Sequence, residues 1–230
     1  MRFLFLFAFA LAACAPTPAP MSPAANGFPA PDRPVASIVT SHSGPEAERD
    51  AAGEATRTMD AIPVRAGMVV ADIGAGDGYF TTRLSPRVGP TGRVIATDIT
   101  PQYLEGLKAR VARAGLSNVS FVLGGADDPN LAPASIDVAL LVRMYHEIEQ
   151  PYAFLWRLRD ALKPGGVVAI SERDRPTQDH GAPPDLLRCE LEAVGYEQTG
   201  FHDLGASGYV AIFAPTRPRP APSVIRACKA

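Results

Sequence analysis

An α/β fold, a parallel sheet with helices on both faces, is what this sequence predicts, and three observations carry the prediction. Apolar runs of strand length alternate with stretches of helical periodicity from about residue 68 to residue 213, the pattern of strand–helix–strand units whose strands are buried on both faces. The first run leads into Met68-Val-Val-Ala-Asp-Ile-Gly-Ala-Gly-Asp-Gly78, an acidic residue followed by glycines at 74, 76 and 78. Such glycines let a strand-to-helix turn approach a ligand too closely for any Cβ, with the helix amides aimed at it. The length of 230 residues and 47% apolar content suffice for one such domain plus extensions.

In chain order, a helix over about Glu46 to Ala61 precedes the first strand, Met68 to Ala71. A helix from about Tyr79 follows the glycines, and Pro86 is expected to shorten it. The second strand is Arg93 to Asp98. Its helix opens with Thr100 as cap and Pro101 in the first turn, carries Leu104, Leu107, Val111 and Ala114 on one face, and stops at Gly115. Strands at about Val119 to Leu123 and Ile136 to Val142 come next, then a helix from Pro151 with Leu155, Leu158 and Leu162 on its inner stripe. Lys163-Pro-Gly-Gly166 turns the chain into a fifth strand, Val167 to Ser171. A helix from about Pro184 to Val194 and strands near Glu197 to Leu204 and Tyr209 to Phe213 complete the domain.

Glycine spacing narrows the ligand. A dinucleotide fingerprint needs G-x-G-x-x-G, whereas here the third glycine comes one residue early, as Gly74-x-Gly76-x-Gly78, with Asp72 ahead of the first glycine and Asp77 before the last. Two carboxylates suit a cationic sulfonium with an amino group better than an anionic pyrophosphate. Asp98, twenty residues beyond Gly78, stands where a carboxylate accepts both ribose hydroxyls.

Four segments together carry a family resemblance: Val70-Ala-Asp-Ile-Gly-Ala-Gly-Asp-Gly78, Val88-Gly-Pro-Thr-Gly-Arg-Val-Ile-Ala-Thr-Asp98, Ser135-Ile-Asp-Val-Ala-Leu-Leu141 and Leu162-Lys-Pro-Gly-Gly166. In order and spacing they resemble class I S-adenosylmethionine-dependent methyltransferases, in particular the branch of ubiquinone and menaquinone biosynthesis, from about Ala61 to Ala214. The resemblance implies a Rossmann-like, doubly wound sheet of seven strands, mostly parallel with the last antiparallel. It implies S-adenosylmethionine as cofactor, held by Asp72, Gly74, Ala75, Gly76 and Gly78, by Asp98 and Ile99, and by Arg143. Relatives often show Gly-Asp-Ala after the third strand. This chain has Gly124-Gly125-Ala126 followed by Asp127 and Asp128, so one of those aspartates, Asp127 first, is the expected substitute near the adenine amino group.

Such sheets bind ligands beyond the carboxyl ends of their strands. Past the fourth strand stands Arg143-Met-Tyr-His-Glu147, where the family faces its methyl acceptor. A base is needed only when the acceptor must lose a proton, and histidine is the residue type that exchanges protons near neutral pH. His146 is therefore the first catalytic candidate, with Glu147 and Tyr145 beside it. Tyr79, Glu172 and His180 are candidates for the acceptor pocket. A metal-assisted version would recruit Asp137, Glu172 and Asp174, but Asp137 begins its strand and so lies at the wrong end of the sheet; no metal is expected. The acceptor is a small molecule, with oxygen, nitrogen, carbon and sulfur all open, and the oligomeric state is not readable.

The ends differ from the middle. Phe3 to Ala13 is an apolar run after a single arginine, the length of a signal-peptide core and too short to span a bilayer, and it ends in Leu11-Ala-Ala-Cys14. This resembles a bacterial lipobox, which implies cleavage before Cys14, lipidation of that residue and membrane attachment in the cell envelope, with Ala15 pointing to the outer membrane. Translation from Met21 is the alternative and would leave a cytoplasmic enzyme. Seven prolines among residues 15 to 34 mark residues 14–44 as an extended tether. Residues 45–214 form the methyltransferase domain, and 215–230 a Pro-rich basic tail in solvent. Cys189 and Cys228, one on a helix and one in that tail, are expected to stay unpaired. A net charge of −2 gives no basic stripe for nucleic acid. Two functions follow: a methyltransferase, or an envelope-anchored binding module that keeps the fold without turnover, since the methyl donor is made in the cytoplasm.

Overall fold

The computed structural model describes residues 27–38 and 44–229. Leu11 to Cys14, Met21 and much of the Pro-rich segment lie outside those residues. The fold is the predicted one: a seven-stranded sheet in the order β3-β2-β1-β4-β5-β7-β6. The strands are β1 (Val69–Ile73), β2 (Arg93–Asp98), β3 (Val119–Leu123), β4 (Ile136–Val142), β5 (Leu162–Glu172), β6 (Glu197–Asp203) and β7 (Tyr209–Ala214). β1 to β5 run parallel, and β7 is antiparallel to both β5 and β6. Helices α1 (Glu46–Ala51), α2 (Glu54–Ala61), α3 (Tyr79–Val88), α4 (Pro101–Arg113), α5 (Pro151–Ala161) and α6 (Pro184–Ala193) cover the sheet. One core packs α5 and α6 with residues such as Leu141, Leu155 and Leu187, while the opposite core packs α2 and α3 with Met59, Leu84 and Val138. The strand order reverses between β1 and β4, which opens a crevice above their carboxyl ends.

Several local expectations are corrected. The leading helix is two helices, because Gly53 takes a left-handed φ of 64° between them. Pro86 does not shorten α3, which runs on to Val88 and ends at Gly89; a proline in the last turn forfeits one backbone bond without breaking the helix. Thr100 makes no side-chain cap on α4. The Asp98 carboxylate instead accepts from the Thr100 amide at 2.8 Å, an Asx turn that leads the chain into the helix. β5 begins at Leu162, before Lys163-Pro-Gly-Gly166, and absorbs the turn as an irregularity against β4.

The largest departures are at the two Pro-rich segments. Phe28 is buried and meets Trp156 edge-on with ring centres 5.7 Å apart. Arg33, 1% exposed, forms an ion pair of 3.0 Å with fully buried Glu190 on α6. In the C-terminal segment Ile225 and Cys228 are buried, Arg219 pairs with Asp160, and Pro220 accepts from the Trp156 indole at 2.9 Å. A bridge between Asp32 and Lys229 joins the two segments. Residues 28–36 and 215–229 are thus a strap over α5 and α6, not a tether and a solvated tail. Proline lowers the entropy of an extended chain, and a few apolar anchors then hold it down. Cys189 and Cys228, expected to stay apart, form a disulfide with Cα atoms 6.0 Å apart, because the strap brings the tail back to α6.

Candidate functional site

The crevice at the switch point is a cavity of about 500 Å³, the size of a small-molecule site. Its floor is the turn from β1 into α3. The three glycines there do two different things. A Cβ on Gly74 would stand 2.9 Å from Met144, and one on Gly78 would stand 2.0 Å from Leu107 of α4. Gly78 therefore lets the loop pack on the neighbouring helix and does not itself line the cavity, a correction to its expected ligand contact. Gly76 has a φ of 54° and nothing within 4 Å of a built Cβ, so only it leaves the loop's face open to a ligand.

Asp98 holds this loop. Its Oδ2 accepts from the Gly76 amide at 2.9 Å while Oδ1 accepts from Thr100, and the carboxylate still lines the cavity. Asp72 also lines it and is 3% exposed, with Oδ2 accepting from the Thr81 hydroxyl at 2.5 Å. Burial pushes the Asp72 carboxyl up to about 6; the Thr81 hydrogen bond pulls against this and the Asp98 charge adds to it. Ala75, Ile99 and Arg143 line the same space. The half-buried guanidinium of Arg143 is shifted below its ordinary value by desolvation.

At the adenine end the sequence expectation fails. Asp127 makes an ion pair with Arg157, and the Asp128 carboxylate accepts from the Asn130 amide at 2.8 Å. Neither lines the cavity, whose wall here is Gly124, Gly125 and Ala126 with Tyr103 opposite.

The far end separates the acceptor-side candidates. His146, Glu147 and His180 line the cavity. Tyr145 does not: it is fully buried and donates its hydroxyl to Glu190 at 2.7 Å, and the apolar surroundings push its phenol well above the ordinary value. In the tight turn Tyr145–Glu147, neighbouring side chains leave in different directions, so Tyr145 faces the core. Glu172 is also displaced from its expected role. It sits behind His146, 2.9 Å from Nδ1, and also accepts from the Tyr145 amide at 3.0 Å. An ionised carboxylate only accepts, which puts the imidazole proton on Nδ1 and turns the Nε2 lone pair toward the cavity. Tyr79 forms wall only; its hydroxyl donates to Asp50 at 2.9 Å and its ring lies between Arg49 and Arg83. Asp137 is at the opposite, amino end of β4, bonded to the Val69 amide and Lys163.

Sequence reasoning missed Met144, Ile38, Phe154, Arg173 and Arg175, all of which line the cavity. The two arginines lie just past the end of β5, where the strand-end rule points; Ile38 has no comparable signal, since only the folded strap brings it there. Of the four non-glycine residues with positive φ among the described residues, two, Arg143 and His180, are in this cavity, and such strain gathers where a site fixes its backbone.

Residues 70–166 match the model of the methyltransferase domain family. Demethylmenaquinone methyltransferase of Lactococcus lactis is 31% identical over 121 residues, 53% of this chain and 48% of that protein. Nocamycin O-methyltransferase of Saccharothrix syringae is 28% identical over 173 residues, 68% of this chain and 61% of that protein. The chain thus spans about half to three fifths of the length of these curated relatives. A methyltransferase from Aquifex aeolicus, described as dependent on S-adenosylmethionine, superposes with a TM-score of 0.62 at 25% identity, over 70% of this chain and 87% of that one. Fibrillarin of Aeropyrum pernix, solved with natively bound S-adenosylmethionine, shares the fold with a TM-score of 0.55 at 17% identity, over 70% of this chain and 74% of that one.

Proposed function

We propose that this chain, whose residues 70–166 match the methyltransferase domain family, is a class I enzyme that moves a methyl group from S-adenosylmethionine to a small acceptor bound beside His146. One observation carries the reading: the open loop face at Gly76 and the His146–Glu147 turn line a single cavity. The chain's residues fit the cofactor. Asp98 offers the carboxylate for the ribose, Asp72 a buried negative charge for the amino and sulfonium groups, and Ile99 and Tyr103 apolar surface for the base.

When bound, S-adenosylmethionine supplies a methyl group on a leaving group that is already activated. The protein's part is then to align the acceptor and keep water out. Phe80, Phe154 and Ile148 give the far end apolar walls. His146, oriented by Glu172, turns Nε2 toward the cavity that would hold the acceptor.

The test is turnover. Purified protein given S-adenosylmethionine and size-fractionated cell extract should release S-adenosylhomocysteine with at least one fraction, and His146→Gln should slow that release by about 10²-fold or more. Cofactor binding without release in any fraction would favour the binding module.

We further infer an envelope location through a lipidated Cys14. The Cys189–Cys228 pairing supports it, since disulfides persist in oxidising compartments. Mass spectrometry of the native protein should find acylated Cys14 and no free thiol at 189 or 228; a chain starting at Met21 or Ser22 with reduced cysteines would contradict both.

A further inference from the structure

His146, Glu147 and His180 place one ligand atom each within 4.8 Å of one another at the acceptor end of the cavity, and we propose that they bind a divalent transition-metal ion such as zinc. Two imidazoles and one carboxylate are a frequent donor set for a catalytic zinc that keeps an open position for a substrate atom. Here the open side faces the cavity, which all three residues line.

Four features suit a cation. The His146 Nε2 and Glu147 Oε1 atoms are 3.9 Å apart, and ligand atoms at roughly 2.1 Å from one tetrahedral ion stand about 3.4 Å apart, so a small side-chain shift closes the set. The carboxylate of Glu172 on the far side of His146 fixes the tautomer that ligates through Nε2, the usual arrangement behind a metal-bound histidine. Its side chain is fully buried, its other oxygen Oε2 has no hydrogen-bond partner, and its only ion-pair partner among the described residues is His146. A cation beyond the imidazole would offset that buried charge. Finally, the strap ties the two ligand-bearing turns together: the Ala36 amide donates to the His146 carbonyl at 3.1 Å, and the Thr177 hydroxyl donates to the Pro34 carbonyl at 2.7 Å. His180 follows directly on the turn Thr177–Asp179, held in a left-handed conformation.

This inference deepens the proposed function, and rests on it only for the ion's purpose: an acceptor hydroxyl or thiol that coordinates the ion gives up its proton more readily. Binding is tested without turnover. The full chain, stripped with a chelator and desalted, is titrated with zinc chloride in a calorimeter and with cobalt chloride in a visible spectrometer. One equivalent should bind, and the cobalt complex should show d–d bands without a thiolate charge-transfer band. His180→Ala and His146→Ala should each weaken zinc binding at least 100-fold, Glu172→Gln about 10- to 100-fold, and His202→Ala, at an exposed position on β6, should leave it unchanged, with thermal melts confirming that each variant is folded. No stoichiometric uptake, equal uptake by the two ligand variants and the parent, or a thiolate band placing the ion on Cys14 would each overturn the site. Metal uptake without methyl transfer would instead count against the proposed function and leave the site intact.

Discussion

Asp98→Ala should lower the affinity for S-adenosylhomocysteine by at least about 10²-fold in calorimetry, the largest loss expected from any single side chain in the crevice. The carboxylate acts twice. It fixes Gly76 and Thr100 through their amides, and it lines the cavity, where under the proposed function its remaining lone pairs would accept from the ribose. Each hydrogen bond to a charged group contributes roughly 1.5–3 kcal/mol, so losing two ribose contacts and the loop's anchor exceeds the threshold comfortably. Alanine also leaves two backbone donors unmatched and should lower stability. Asp98→Asn separates the effects: one amide oxygen can still hold Gly76 or Thr100, so folding should be largely kept while affinity still falls about 10-fold or more. Undiminished binding in both variants would remove Asp98 from the site.

Asp72→Asn should make the empty protein more stable and the complex weaker. A buried carboxyl at about 6 instead of 3.8 means that ionising it costs the folded state on the order of 3 kcal/mol relative to the unfolded chain. The neutral acid carries no such penalty. The stability tied to this group is therefore complete below about pH 4, falls as pH rises through about 6, and stays lost above it. Asparagine removes the charge and can still accept from Thr81, so at pH 7.5 the melting temperature should rise by roughly 5–10 °C, and the gain should vanish near pH 3.5. In the parent, a cationic donor stabilises the ionised form, so its affinity should strengthen from pH 5 to pH 7 with proton release on binding. The asparagine variant should bind about 10-fold or more weakly at pH 7.5 and lose that pH dependence. Unchanged melting at pH 7.5 would mean that Asp72 carries no buried charge.

The fold was legible because its signals are local. Strand runs, a glycine turn and helix stripes report on the backbone within a few residues, and β2, β3 and β4 fall where periodicity puts them. The cofactor side shares this property: Asp72, Gly76 and Asp98 stand at or just past strand ends, and strand ends meet at the switch point whatever else the chain does. The acceptor side is different. Tyr145 and His146 are adjacent in sequence, yet one bonds Glu190 in the core and the other lines the cavity, a difference made by one tight turn. Glu172 is the partner of His146 across 26 residues, and Asp127 is taken by Arg157 from α5; neither pairing has a sequence signal. The strap was misread for a compositional reason. Proline argues against a core element, but it does not stop Phe28, Arg33, Ile225 and Cys228 from anchoring an extended chain to one.

The central claim, a carboxylate-and-glycine turn that grips the methyl donor, is tested most directly by a crystal structure of the protein grown with S-adenosylhomocysteine. The account predicts the ribose within hydrogen-bonding distance of Asp98, the amino acid part over Gly76 beside Asp72, and the sulfur directed toward His146. A crevice over Gly76 that stays empty at saturating ligand, or one that takes a dinucleotide there instead, would contradict it.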